Sequence, residues 1–113
     1  LFDKEILYFL DFEYAGWDDP AKLICDFVCH PEMPVKDEHS QILKNSLLTW
    51  LEEAEKAIER SEILMPLYRL KWCCIMLNEF TPDGQDRRNH ASSKFDYSNQ
   101  LQKSKDYYEK FIA

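Results

Sequence analysis

Apolar and aromatic residues crowd the first dozen positions, where Glu5 to Phe12 read Glu-Ile-Leu-Tyr-Phe-Leu-Asp-Phe. A short run of this kind, leading into a loop, predicts a buried strand. Leu1-Phe2 predicts a partner strand, with Asp3-Lys4 as the turn of a hairpin. Tyr14 to Asp18, which include Gly16, predict a loop. Asp18-Asp19-Pro20 then signals a helix start. An Asp side chain accepts from the exposed N–H groups of a first turn, and Pro fits there because its missing N–H is not needed. This helix is expected to run to about Cys29, with Leu23, Ile24, Phe27 and Val28 inward. His30-Pro31-Glu32-Met33-Pro34 ends it, since a residue before Pro disfavours helix.

The longest periodic segment spans residues 37–60. Leu43, Leu47, Trp50, Leu51, Ala54, Ala57 and Ile58 recur at steps of three and four, which predicts one amphipathic helix. Glu52, Glu53, Glu55, Lys56, Glu59 and Arg60 give its wet side. A further helix is expected from about Pro66 to Phe80, apolar nearly all round between Trp72 and Leu77 and therefore central and buried. Thr81 to Phe95 carry turn signals at Pro82-Asp83-Gly84 and predict a polar loop. Ser98 to Ile112 predict a last helix with Leu101, Tyr108, Phe111 and Ile112 inward. The pattern is mainly α with a short N-terminal strand or hairpin. A lone hairpin is not an independent sheet, so the reading expects a structure that continues upstream. A chain opening on Leu1, with no basic segment followed by an apolar stretch, is expected to be an excised or incomplete one.

Composition narrows the function classes. The 113 residues suffice for one small domain with one core. With only two glycines, Gly16 and Gly84, no phosphate-cradling glycine-rich loop can be written onto the chain. The net charge of −7 and the absence of any basic cluster beyond Arg87-Arg88 argue against a nucleic-acid partner. No apolar run reaches the length of a membrane span, so no membrane partner is expected. Cys25, Cys29, Cys73 and Cys74 sit in helical segments without disulfide-scaffold spacing, which predicts buried free thiols and a cytoplasmic location. Cys25 and Cys29 are one residue further apart than a zinc knuckle and have no matching second pair.

The residues that carry chemistry lie in Leu10-Asp11-Phe12-Glu13-Tyr14-Ala15-Gly16-Trp17-Asp18-Asp19-Pro20-Ala21. A carboxylate at the end of a buried strand needs a strong partner. Mg²⁺ takes oxygen ligands, often one or two carboxylates together with substrate phosphates. Asp11 suits that role, with Glu13, Asp18 and Asp19 nearby in the chain. On the residues alone, the other reading stays open: Asp11 accepts backbone hydrogen bonds in a turn, and the remaining acids cap a helix.

Asp11-Phe12-Glu13-Tyr14-Ala15-Gly16, preceded by an apolar strand and followed by Asp19-Pro20-Ala21 and a helix, resembles the metal-binding segment of the aminoglycoside phosphotransferase and choline kinase family. The resemblance is specific over residues 6–28. It implies the C-terminal lobe of a protein-kinase-like fold, divided into a strand and metal-binding loop over 1–18 and a helical subdomain over 19–113. It implies that Asp11 holds Mg²⁺ against the ATP phosphates and that the full-length protein phosphorylates a small-molecule hydroxyl. The family's catalytic loop, His-x-Asp-x-x-x-x-Asn, is expected upstream of Leu1 together with the N-terminal nucleotide-binding lobe. The chain alone is therefore expected not to turn over ATP. The resemblance makes Glu13 and Tyr14 substrate-binding candidates, Tyr14 matching a Tyr beside the cationic substrate in choline kinases. Arg69-Leu70-Lys71-Trp72 resembles a choline-kinase helix with two Trp three residues apart; Trp72 falls on the second and Arg69 on the first. An Arg in place of a cage aromatic departs from the choline pattern. If Arg69 faces the pocket, the acceptor is expected to carry an anionic group. Two other readings remain: a non-catalytic helical interaction module, and an inactive kinase relative that binds without transfer.

Overall fold

The computed structural model describes residues 2–3, 5–8, 10, 16–90 and 95–113. It is mainly helical. Strands β1 (Phe2–Asp3) and β2 (Ile6–Leu7) form an antiparallel hairpin with Phe2 opposite Leu7 and Asp3 opposite Ile6. The helices are α1 (Pro20–Cys29), α2 (Asp37–Trp50), α3 (Ala54–Leu77), α4 (Pro82–His90) and α5 (Tyr97–Phe111), with a 3₁₀ turn at Asn78–Phe80. The hairpin differs from the expected one in two ways. Asp3 belongs to a strand rather than to the turn, and Glu5 takes a left-handed φ of 70°. Ile6, Leu7, Tyr8 and Leu10 are exposed rather than buried, because no further strand among the described residues covers them.

Helix α1 starts as its sequence dictates. Asp19 is the N-cap, its Oδ1 accepting from the Ala21 N–H at 2.9 Å, and Pro20 occupies the first turn. His30, held extended before Pro31, ends the helix. Its buried face is Ala21, Ile24, Cys25 and Cys29; of the expected inward residues, Ile24 and Val28 meet the core, whereas Leu23 and Phe27 are exposed. The helix is rotated so that small residues meet α3, which buries Ala54, Ala57 and Ser61. The Cys25 thiol donates to the Ser61 carbonyl at 3.4 Å, and Cys29 Sγ lies 3.2 Å from Met65 Sδ. Ile24, Leu47 and Ala54 form one core cluster, with Val28, Leu43, Leu51 and Ile58 around it.

The expected single helix over 37–60 is two helices. α2 stops at Trp50, Leu51 turns extended, and Glu53 adopts a left-handed φ of 57° before α3 begins. The apolar rhythm runs unbroken across this corner because Leu47, Leu51, Ala54 and Ile58 all face the same cluster. No Gly or Pro marks the corner. α3 in turn passes straight through Pro66, where a helix start was expected. An internal Pro removes one helical hydrogen bond and costs about 3 kcal/mol or more; the packing of α3 against both α1 and α5 offsets it. The segment Trp72–Leu77 is not buried all round, since Cys73 and Met76 are inward while Cys74, Ile75 and Leu77 are exposed.

Pro82-Asp83-Gly84 opens a helix instead of forming a loop. Thr81 Oγ1 accepts from the Gly84 N–H at 3.2 Å, which makes Thr81 an N-cap and Pro82 the first helical residue. Gly84 is buried against the 3₁₀ turn, and a Cβ there would sit 2.0 Å from the Asn78 carbonyl oxygen. Arg88 grips Glu79 with two hydrogen bonds, at 2.6 and 3.1 Å, and draws the Glu79 carboxyl below its ordinary range. α5 is capped by Asp96, which accepts from the Asn99 N–H at 3.0 Å. It buries Ser104 and Tyr107, while Leu101, Tyr108 and Phe111 stay exposed and Ile112 half-buried, again a different face from the expected one. A second core cluster joins Cys73, Met76 and Tyr107 with Trp72 and Ile112. Among the described residues, no helix is long and apolar enough to cross a membrane.

A left-handed φ strains any residue with a Cβ, and a β-branched one most. Glu53→Val is expected to lower stability by about 1–2 kcal/mol, while Glu53→Gly leaves it unchanged or raises it. Urea unfolding of the two variants checks this. Equal stability of both would show that the corner at Glu53 is not left-handed in solution.

Candidate functional site

Of the residues singled out in the sequence, Asp11, Glu13 and Tyr14 lie outside the described residues. Arg69 and Trp72 are described, both half-buried, three residues apart on α3. Asp18 and Asp19, the first described acids that follow Asp11 in the chain, are already engaged. Asp18 pairs with Lys22 at 3.3 Å. Asp19 receives two hydrogen bonds from Arg60, at 2.7 and 3.0 Å, besides its capping bond. The Arg60 guanidinium, helped by the Ala21 N–H, draws the Asp19 carboxyl below its ordinary value. Asp19 thus ties the start of α1 to α3, while Asp18 pairs with Lys22 in the first turn of α1. Among the described residues, no group of three or more His, Cys, Asp or Glu side chains could hold a metal ion.

One place where the described residues can receive a small molecule is a cavity of about 430 Å³ where α1 ends and meets α3 and α5; another, of about 470 Å³, lies along the same turn beside Asp26, Phe27 and His39. Both volumes fall within the range of small-molecule sites, about 300–1,000 Å³. The walls of the first are the Val28–Val35 turn, Arg69 and Met76 of α3, and one face of α5. On α5 the lining residues are Lys103, Asp106, Tyr107, Lys110 and Phe111, whose spacing of three and four places them on a single face.

This first cavity keeps its shape because its walls are bonded to one another. Buried Tyr107 donates its hydroxyl to the Cys29 carbonyl at 2.7 Å, fixing α5 to the last turn of α1. That carbonyl is one of the helix-end acceptors left without a partner inside the helix. Burial pushes the Tyr107 phenol up to about 12, with the nearby positive charge of Arg69 acting in the opposite direction. The Arg69 guanidinium stacks on Phe111, its Cζ 4.0 Å from the ring centroid. Lys103 pairs with Glu32 across the opening at 3.1 Å. Lys71 pairs with Asp26, which also pairs with Lys22 at 3.2 Å, so α1 is tied to α3 a second time.

Trp72 packs against the cluster of Cys73, Met76 and Tyr107, with its ring 4.8 Å from His30. His30 Nδ1 and Trp72 Nε1 are both buried without a hydrogen-bond partner among the described residues. The sequence reading had not singled out Lys103, Tyr107, Lys110 or Phe111 as site residues. Their shared face on α5 was a legible signal, but an aromatic and lysine face is also what any packed surface helix shows. His30 was hidden by its place in a helix-ending Pro-rich turn.

Cys25, Cys29 and Cys73 are buried free thiols, as expected from their apolar setting; Cys74 is exposed. Burial pushes the Cys25 thiol up to about 11 and raises those of Cys29 and Cys73. The thiolate is the reactive form, so these three stay protonated and unreactive near neutral pH. No family model, no curated protein and no solved structure matches the chain.

Two measurements follow from this geometry. A thiol reagent near neutral pH is expected to modify Cys74 first and the other three only as the chain unfolds; rapid modification of all four would contradict the packing of α1 on α3. Tyr107→Phe removes the hydroxyl and leaves the buried Cys29 carbonyl unpaired, with an expected loss of about 1–3 kcal/mol in urea unfolding. No loss would show that α5 is not anchored there.

Proposed function

We propose that the chain is the C-terminal part of an ATP-dependent phosphotransferase with a protein-kinase-like fold, acting on the hydroxyl of a small molecule. The observation that carries the reading is the segment Asp11-Phe12-Glu13-Tyr14-Ala15-Gly16, set between an apolar run and a helix that starts at Pro20 with Asp19 as its cap. In this reading Asp11 holds Mg²⁺ on the ATP phosphates, Glu13 and Tyr14 stand beside the acceptor, and α3 and α5 wall its pocket. The acceptor oxygen forms a bond to the γ-phosphorus as the bond from that phosphorus to the β–γ bridging oxygen breaks. ADP leaves, and the hydroxyl proton passes to the Asp of a catalytic loop upstream of Leu1. The 430 Å³ cavity beside Arg69 supports a role for the α-helical part in acceptor binding. The N-terminal nucleotide-binding lobe would come from the same polypeptide.

A second reading, a helical interaction module, draws on a specific feature of α3. Ile63, Leu67, Leu70, Cys74 and Leu77 follow one another at steps of four and three and are all exposed. That spacing is the seam of a helix pair.

The phosphotransferase reading is tested in the full-length polypeptide. Asp11→Asn keeps the shape of the side chain and removes its charge. Mg²⁺-dependent transfer from ATP to a hydroxylated acceptor is expected to fall on the order of 10²–10³-fold, with the circular dichroism spectrum unchanged. Transfer within about two-fold of the wild type would remove Asp11 from the metal site, and with it the main support for this function.

A further inference from the structure

We infer that the cavity between α1, α3 and α5 binds a molecule carrying an oxyanion, a carboxylate or a phosphate, on the N–H edge of Arg69. The inference deepens the phosphotransferase reading, on which it rests only in identifying that molecule as the hydroxyl acceptor.

Arg69 is half-buried, and among the described residues no carboxylate lies within ion-pair distance of it. A partly desolvated guanidinium without an anionic partner is unusual, because charge withdrawn from water needs pairing. The acids that line the same cavity have other work. Glu32 is paired with Lys103 at 3.1 Å. Asp106 accepts from Gln102 at 2.7 Å. Asp37 lies in the first turn of α2, where the helix dipole stabilises a negative side chain.

Arg69 is also held in a pose that suits anion recognition. Phe111 covers the face of its guanidinium at 4.0 Å, which fixes the plane. Stacking occupies the face and leaves the in-plane N–H donors, five in all, to reach outward. That edge fits the paired oxygens of a carboxylate or phosphate. Lys110, whose Nζ lies 5.0 Å from the same Phe111 ring and which has no carboxylate partner among the described residues, adds a second positive charge to this wall. His30, with Nδ1 buried and unpartnered among the described residues, lines the cavity too. At this wall, as distinct from the side lined by Glu32, Asp37 and Asp106, a quaternary ammonium acceptor would meet two cations. A hydroxylated oxyanion would meet complementary charge and an aromatic floor.

The test is calorimetric titration of the purified chain, without nucleotide, with four probes: glycerate, glycerol phosphate, glycerol and choline. Glycerate or glycerol phosphate is expected to bind at least about ten-fold tighter than glycerol or choline, and the tighter of the two identifies the anionic group. Arg69→Gln is expected to weaken that binding about ten-fold or more, Arg69→Lys and Lys110→Gln by less. Circular dichroism checks that each variant is folded, and the two milder variants keep the comparison usable if Arg69→Gln is not. Choline binding as tightly as the oxyanions, oxyanion binding that none of the folded variants weakens, or no oxyanion binding by a folded wild-type chain would overturn the inference. Because this experiment reads binding without ATP, its failure leaves the Asp11→Asn result standing. Conversely, oxyanion binding that depends on Arg69 survives a failed transfer assay.

Discussion

Helix α1 lies against α3 through residues small enough to bring the two helices close, Ala21, Cys25 and Cys29 on one side and Ala54, Ala57 and Ser61 on the other. This contact, the most extensive between any two helices here, sets the remaining geometry. The Arg60–Asp19 pair fixes one end of α1, and Lys71–Asp26 fixes its middle. With α1 so placed, the Cys29 carbonyl projects to where Tyr107 can donate to it, and α5 docks along α3. The cavity is the space left where the Pro31–Val35 turn leads away from this three-helix junction. Larger residues at Cys25 or Ala57 would push the helices apart and dissolve both the junction and the cavity.

Much of this was legible in the sequence, and the exceptions have physical causes. The start of α1 was readable because Asp19 and Pro20 supply local capping chemistry that no tertiary contact overrides. The faces of α1 and α5 depart in part from the apolar pattern for a shared reason. Periodicity ranks residues by hydrophobicity, whereas close helix packing selects Ala, Cys and Ser, so Leu23, Phe27 and Leu101 fit the inward pattern and yet stand exposed. The corner at Leu51–Glu53 was invisible because the apolar rhythm continues through it and a glutamate carries the left-handed turn. Pro82-Asp83-Gly84 misled in the opposite direction: the same three residues make a turn, or a capped helix start, according to whether Thr81 accepts from Gly84.

The candidate site divides in the same manner. Arg69 was visible as a departure from an aromatic pattern, and its unpaired charge beside Phe111 gives that departure a chemical meaning. The α5 residues of the cavity carried no motif, and only the docking of α5 on α3 assembles them with Arg69 and His30. The proposed metal ligand and the proposed anion contact lie on different elements: Asp11 belongs to the segment before α1, Arg69 to α3. A transferase needs both, since one handles the phosphate donor and the other orients the acceptor.

The most direct measurement of that function is the coding sequence immediately upstream of Leu1. A phosphotransferase of this kind predicts His-x-Asp-x-x-x-x-Asn ending within about ten residues of Leu1, preceded by a nucleotide-binding lobe with its lysine. An upstream region with neither the loop nor the lobe, or a native start near Leu1, would contradict it. Asp11 would then be a turn residue, and the exposed seam of α3 would become the feature to explain.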